Sequence, residues 1–140
     1  MSSELLGSKF TPYVASKDEE YMGDKQIAHF RAILEKWKSE LMEEVSRTVN
    51  HMQDDAANFP DPNDRATQEE EFTLELRTRD RERKLVKKIK QSLEDINSGD
   101  YGFCESCGTD IGILRLEARP TANLCIDCKT LAEIRERNRV

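Results

Sequence analysis

From Ile27 to Met52 the apolar residues recur in steps of three and four, at Ile27, Phe30, Leu34, Trp37, Leu41, Val45, Val49 and Met52. That spacing lays one apolar stripe along one side of an α-helix and approaches a coiled-coil seam. Asp24 is placed to cap its start. A second stripe runs through Phe72, Leu76, Val86, Ile89, Leu93 and Ile96 and ends before Ser98-Gly99. Between them, Asn58-Phe59-Pro60-Asp61-Pro62-Asn63 interrupts any helix, because a proline lacks an amide donor and its ring clashes with the preceding turn. Two single-striped helices joined by a short break are expected to fold back as an antiparallel hairpin. Residues that face each other in a hairpin have numbers of nearly constant sum. Ile27 with Ile96, Phe30 with Leu93, Leu34 with Ile89 and Trp37 with Val86 all sum to 123, Val49 with Leu76 to 125, and Met52 with Phe72 to 124. Half of 123 falls at Asp61-Pro62, where the prolines already sit. Each arm has roughly 30 residues, or about 45 Å, so the tip is expected to project.

The rest of the composition fits solvated helices. Charged residues make up 36% of the chain and aromatic residues 6%, too little apolar material for a large compact core. Small cores usually need a staple. The net charge of −6 argues against general nucleic-acid binding, which needs clustered Lys and Arg to neutralise phosphates. One stretch runs the other way: Arg77 to Lys90 holds eight basic and two acidic residues, and its seam has no apolar residue from Arg77 to Lys84. It reads either as a salt-bridged, solvated face or as a surface for an anionic partner. No apolar run approaches a membrane span, and MSSELLGSKF lacks the basic-then-apolar order of a secretory signal. A cytoplasmic location, with thiols kept reduced, is therefore expected. Residues 1–22 are polar with scattered apolar positions and are expected to be loosely ordered or to dock on the rest.

The staple is expected at the other end. Cys104-Glu105-Ser106-Cys107 and Cys125-Ile126-Asp127-Cys128 form two CxxC pairs with 17 residues between them. Two residues between cysteines let both thiolates of a knuckle reach one ion, and four soft thiolates suit tetrahedral zinc. Gly108 follows the first pair with the backbone freedom such a turn wants. Two disulfides would need an oxidising compartment. A redox dithiol would usually be a single CxxC in a βαβ setting. Catalytic zinc keeps an open position, which four cysteines do not leave. The reading is one structural Zn²⁺ on Cys104, Cys107, Cys125 and Cys128. His29 and His51, far along the helical arm, are taken as surface or seam residues.

The zinc segment, with Ile111, Arg115 and Pro120 between its cysteine pairs, resembles the signature of the DksA/TraR family of zinc-finger transcription regulators. Asp61-Pro62-Asn63-Asp64-Arg65-Ala66 resembles that family's DxxDxA tip motif. HMQDDAANFPDP, RDRERKLVKKI and RLEARPTANLCIDCKTLAEIRE are also similar, so the likeness covers about residues 20 to 137. The resemblance implies a monomeric protein that binds RNA polymerase without recognising promoter DNA. It implies that the hairpin enters the secondary channel and destabilises open complexes, repressing ribosomal RNA promoters and activating others. It implies action with guanosine tetraphosphate (ppGpp) at the interface with polymerase, contacted by Lys88, Arg119 and Lys129.

Blander roles stand beside these. Asp61 suits an N-cap, Pro62 the first helical position, and Asp64 the positive end of the helix dipole, so both aspartates could serve only the second helix. The other reading is that their charge acts near the polymerase active site and that Ala66 is small because a partner approaches. Arg119 and Lys129 could merely offset the charge of a thiolate centre, and Lys88 could be a solvated helix residue. A zinc-ribbon nucleic-acid module is the alternative function. An enzyme using Asp61 and Asp64 would lack an enclosed pocket and a supporting base, so no catalytic residue is assigned. A passive structural coiled coil is a further alternative, which the abrupt prolines and acidic tip oppose only weakly. The expected architecture is mainly α: an N-terminal segment over 1–22, a coiled-coil hairpin over 23–98 with its tip at 58–66, and a small four-cysteine zinc-finger domain with a C-terminal helix over 99–140.

Overall fold

The computed structural model describes residues 13–14, 18–57 and 62–139, with backbone alone at the helical positions 55–57 and 62–64. Four helices follow in order: α1 Asp24–Ala57, α2 Pro62–Ser98, α3 Ile113–Ala118 and α4 Ile126–Arg137. Among the described residues there is no strand, only an isolated antiparallel bridge between Phe103 and Asp110. No helix there is long and apolar enough to cross a membrane.

Helix α2 opens on Pro62, a residue whose missing N–H costs nothing in the first turn. Helix α1 starts at Asp24 itself, with the Ile27 amide bonded to the Gly23 carbonyl at 2.9 Å, so Asp24 is the first helical residue rather than the cap. The far end of α2 runs through Ser98. Gly99 at φ +84° terminates it, and the amides of Asp100 and Tyr101 turn back onto the Asp95 carbonyl.

The described residues form two compact units. One takes in residues up to Trp37 and from Gln91 onward, and the other is Lys38–Lys90. Within the second, the arms of α1 and α2 run antiparallel and meet at His51–Glu75 and Thr48–Glu82. Those pairs sum to 126 and 130, one to seven residues beyond the 123–125 expected, so the register of the arms departs from the expected pairing by up to about two turns. Leu41, Met52 and Ile89 are buried there. Phe72 and Leu76 are 36% and 38% exposed, so they are weaker seam members than their spacing suggests. The position expected for Leu76 is taken instead by half-buried Glu75.

In the first unit the core is Phe30, Ile33, Leu34, Ile96, Tyr101, Ile111 and Leu116. Gln26 is buried with them because its side chain is bonded at both ends, to the Met22 amide at 2.8 Å and to Glu19 at 3.0 Å. The described residues before α1 dock on this core. Tyr13 donates its amide to Glu117 at 2.8 Å, and its ring lies 5.3 Å from that of His29. His29 bonds the same Glu117 oxygen at 2.6 Å. It is thus neither a surface nor a seam residue but a half-buried link from α1 to α3. Tyr21 bridges two glycines: its hydroxyl donates to the Gly102 carbonyl at 2.6 Å and accepts from the Gly112 amide at 2.9 Å. Gly102 has φ +91°, and a Cβ there would lie 2.8 Å from Met22, so only glycine fits beneath this strap.

The Gly102 carbonyl also accepts from the Ile111 amide, whereas the Gly112 amide has no second acceptor among the described residues, so removing the Tyr21 hydroxyl orphans a donor. Tyr21→Phe is expected to destabilise the protein by about 1–3 kcal/mol. Chemical denaturation of the zinc-loaded protein, followed by the far-ultraviolet helical signal, measures it.

Candidate metal centre and neighbouring surfaces

The segment after α2 is built to present sulfur. The Cys104 amide donates to the Thr109 carbonyl at 2.8 Å and the Gly108 amide to the Cys104 carbonyl at 2.9 Å, closing the first knuckle. Gly108, at φ +77°, supplies its left-handed turn. The second knuckle is a helix start. Cys125 is the N-cap residue of α4, and Cys128 sits in its first turn. The knuckles are tied by the Glu105 amide on the Asn123 carbonyl at 2.9 Å, returned by the Asn123 side chain on Glu105 at 3.2 Å. Arg115 Nε holds the Leu124 carbonyl at 3.0 Å, just ahead of Cys125. The Tyr101 hydroxyl holds the Pro120 carbonyl at 2.7 Å, with Pro120 fully buried.

These restraints bring the sulfurs of Cys104, Cys107, Cys125 and Cys128 within 4.8 Å of one another. Cys107 and Cys125 are 3.7 Å apart. Four thiolates at about 2.3 Å from one zinc ion at a tetrahedron's centre stand about 3.8 Å apart, so the spacing fits the ion. It does not fit disulfides, whose sulfurs lie at about 2.05 Å, and all four cysteines are free. Backbone N–H groups, that of Cys125 foremost, then those of Cys107 and Ser106, hold the Cys104 thiol down to about 6. Its neighbours Cys125, Cys104 and Cys107 push the Cys128 thiol up to about 12. So many sulfurs around one point cannot all shed their protons without a cation to replace them. The Thr109 hydroxyl lies 2.9 Å from the Cys107 sulfur and is placed to donate to it when it is a ligand.

The other residues singled out in the sequence fall in several places. Asp61 lies outside the described residues. Asp64 is in the first turn of α2 as backbone, and Ala66 is exposed on the same helix. Arg119 is the exposed C-cap of α3, and Lys129 is half-buried in the first turn of α4, its amide on the Cys125 carbonyl at 2.9 Å. Both belong to the zinc-bearing unit. Lys88 is exposed on α2 within the hairpin unit. The basic stretch divides: Arg79 is half-buried, while Arg83, Lys87 and Lys90 rim a groove of about 420 Å³ floored by Met42, Val45 and Val86. Sequence reasoning missed Tyr21, His29 and Glu117. Only the pair of glycines at Gly102 and Gly112 hinted that something packs closely there.

Residues 26–96 match the family model of the DnaK suppressor protein DksA, N-terminal domain. Residues 99–133 match the prokaryotic dksA/traR C4-type zinc finger. The RNA polymerase-binding transcription factor DksA of Escherichia coli (strain K12) is 68% identical over 126 residues, covering 90% of this chain and 83% of the relative. The protein of the same description from Haemophilus influenzae is 65% identical over 134 residues, covering 96% and 91%. A solved structure of transcription factor DksA2 from Pseudomonas aeruginosa aligns with TM-score 0.81 at 36% identity, covering 98% of this chain and 99% of that one.

Metal binding here is expected to carry the folding of the zinc end. Cys107→Ser should lower bound zinc from one equivalent to a small fraction, read by elemental analysis after purification under reducing conditions. Most far-ultraviolet helical signal should survive, because α1 and α2 carry most of the helix.

Proposed function

This chain belongs to the DksA family of C4 zinc-finger transcription factors, and from that premise we propose that it binds RNA polymerase, inserts its coiled-coil tip into the secondary channel and acts with ppGpp to destabilise open promoter complexes. In this reading it represses ribosomal RNA promoters and activates others. It acts in the cytoplasm as a monomer, without catalysing a reaction and without sequence-specific DNA binding. The observation that carries the reading is the joint match of hairpin and zinc finger to relatives described as RNA polymerase-binding, at 68% identity over 126 residues. The acidic balance of the chain supports a protein partner over a duplex.

The division of labour follows from chemistry. The zinc supplies a fixed four-thiolate centre, and Lys129, next to the ligand Cys128, has its backbone set by that centre. Arg119 closes α3, itself tied to α1 through Glu117 and His29. Lys88, Arg119 and Lys129 supply cations for the two diphosphates of ppGpp, with polymerase completing the pocket. Asp61, Asp64 and Ala66 form the acting end of the hairpin: the aspartates place negative charge beside the active centre, and Ala66 leaves room for close approach.

Asn caps a helix about as well as Asp but carries no charge. Asp64→Asn is therefore expected to keep polymerase binding within a few-fold and to abolish the effect on open-complex lifetime, measured by competitor challenge on a ribosomal RNA promoter. Full activity in both Asp61→Asn and Asp64→Asn would reduce the tip aspartates to helix caps.

A charged hydrogen bond to phosphate contributes roughly 1.5–3 kcal/mol, which is about ten- to a hundred-fold in affinity. Each of Lys88→Ala, Arg119→Ala and Lys129→Ala should weaken the ppGpp response of transcription by that factor while polymerase binding stays normal. An undiminished response in all three would overturn the site.

A further inference from the structure

Along α2 one heptad-spaced row runs Phe72, Glu75, Arg79, Glu82, Val86, Ile89, Leu93, Ile96, in alternating steps of three and four. Three consecutive positions of that row, where a coiled coil wants apolar knobs, are Glu75, Arg79 and Glu82, and all three are half-buried. From the facing arm, His51 Nδ1 meets Glu75 at 2.7 Å and the Thr48 hydroxyl donates to Glu82 at 3.4 Å. The second carboxylate oxygens of Glu75 and Glu82 and the Arg79 Nε are buried with no hydrogen-bond partner among the described residues. Within the same unit Leu41, Met52 and Ile89 are buried apolar residues of the seam. The seam therefore contains a polar layer that is incompletely compensated.

Such a layer does not serve stability, because well-packed apolar residues at the same positions usually stabilise a coiled coil more. What it provides is register. The apolar stripe of α1 around it, Leu41, Val45, Val49 and Met52, is a row of similar residues that tolerates sliding. The polar layer does not. A slip of one heptad in one sense sets Glu82 beside Leu41 and Glu75 beside Glu44. In the other sense it sets Glu82 beside Asp55. Each slip strands a carboxylate against an apolar or like-charged neighbour.

We propose that Glu75, Arg79 and Glu82, engaged by Thr48 and His51, form a register lock that fixes the axial alignment of the two arms and so positions the tip carrying Asp61, Asp64 and Ala66. These are positioning residues, acting through the hairpin rather than by touching a partner. The link to transcription rests on the tip acting within polymerase, whereas the register is a property of the free protein.

The test uses the zinc-loaded full chain with spin labels on genetically encoded ketone side chains at Glu43 and Lys84, both exposed, which leaves the zinc cysteines untouched. Electron–electron double resonance should give one narrow distance for the wild-type layer. In Glu75→Leu/Arg79→Leu/Glu82→Leu the distribution should broaden or gain a population displaced by one heptad, about 10 Å along the axis. The same variant should melt about 5 °C or more higher and lose at least about ten-fold of its effect on open complexes at saturating polymerase binding. The single Glu82→Leu variant reads the same distance should the triple variant associate, and Glu82→Gln, which keeps the acceptor for Thr48, should stay narrow. A narrow, unchanged distance in both Leu variants overturns the lock. So does a displaced distance with a full transcriptional effect. A wild-type protein with no effect on open complexes would refute the reading of function, and the distances would still decide the lock.

Discussion

Four sulfurs gathered within 4.8 Å of one another are the constraint on which the zinc-bearing unit turns. Without a cation their charges oppose one another: backbone N–H groups hold the Cys104 thiol low, whereas the neighbouring sulfurs push the Cys128 thiol up. A divalent ion converts that conflict into the strongest local attraction in the protein. The consequences spread through the backbone. The first knuckle turns on Gly108, and the second starts α4 at Cys125, so the metal fixes the origin and direction of that helix. Between the knuckles lie Ile111, Leu116 and Pro120, all buried. The ion thus organises a core that a chain of this composition could hardly sustain through apolar burial alone.

The same unit holds the first part of α1 by polar means. Tyr21 spans Gly102 and Gly112, which flank the first knuckle, and Glu117 of α3 receives both His29 and the Tyr13 amide. These bonds connect segments distant in sequence and are partly buried, so each lost partner leaves a desolvated group behind. The Phe30 ring lies 5.9 Å from that of Tyr101, which joins α1 to the residues entering the zinc module.

The hairpin unit follows a different principle. Its arms are joined by an apolar seam with a charged interruption, and its surface is dense in Lys, Arg and Glu. The basic stretch that stood out in the sequence is not a uniform face. Arg79 turns into the seam, whereas Arg83, Lys87 and Lys90 rim an apolar-floored groove and Lys88 is exposed. A seam held partly by polar contacts is less stable than an all-leucine one but more particular about alignment.

The sequence by itself determined the two long helices, the break between them and the four-cysteine centre. Those are local signals: a 3–4 periodicity, prolines that no helix interior admits, and cysteine pairs close enough to bind one ion. Only the tertiary structure decided which residues share the seam. Spacing placed Phe72 and Leu76 there, yet Phe72 lies at its margin, and Glu75, bonded to His51, is the more buried neighbour of Leu76, because a carboxylate enters a seam only when a partner is waiting across it. His29 looked like any polar residue of a solvated arm until Glu117, 88 residues away, was brought against it. Tyr13 met the same carboxylate across 104 residues. Periodicity reports which face of a helix is apolar. It carries no record of what a polar side chain finds when the chain closes, and that meeting decides whether the side chain is buried or exposed.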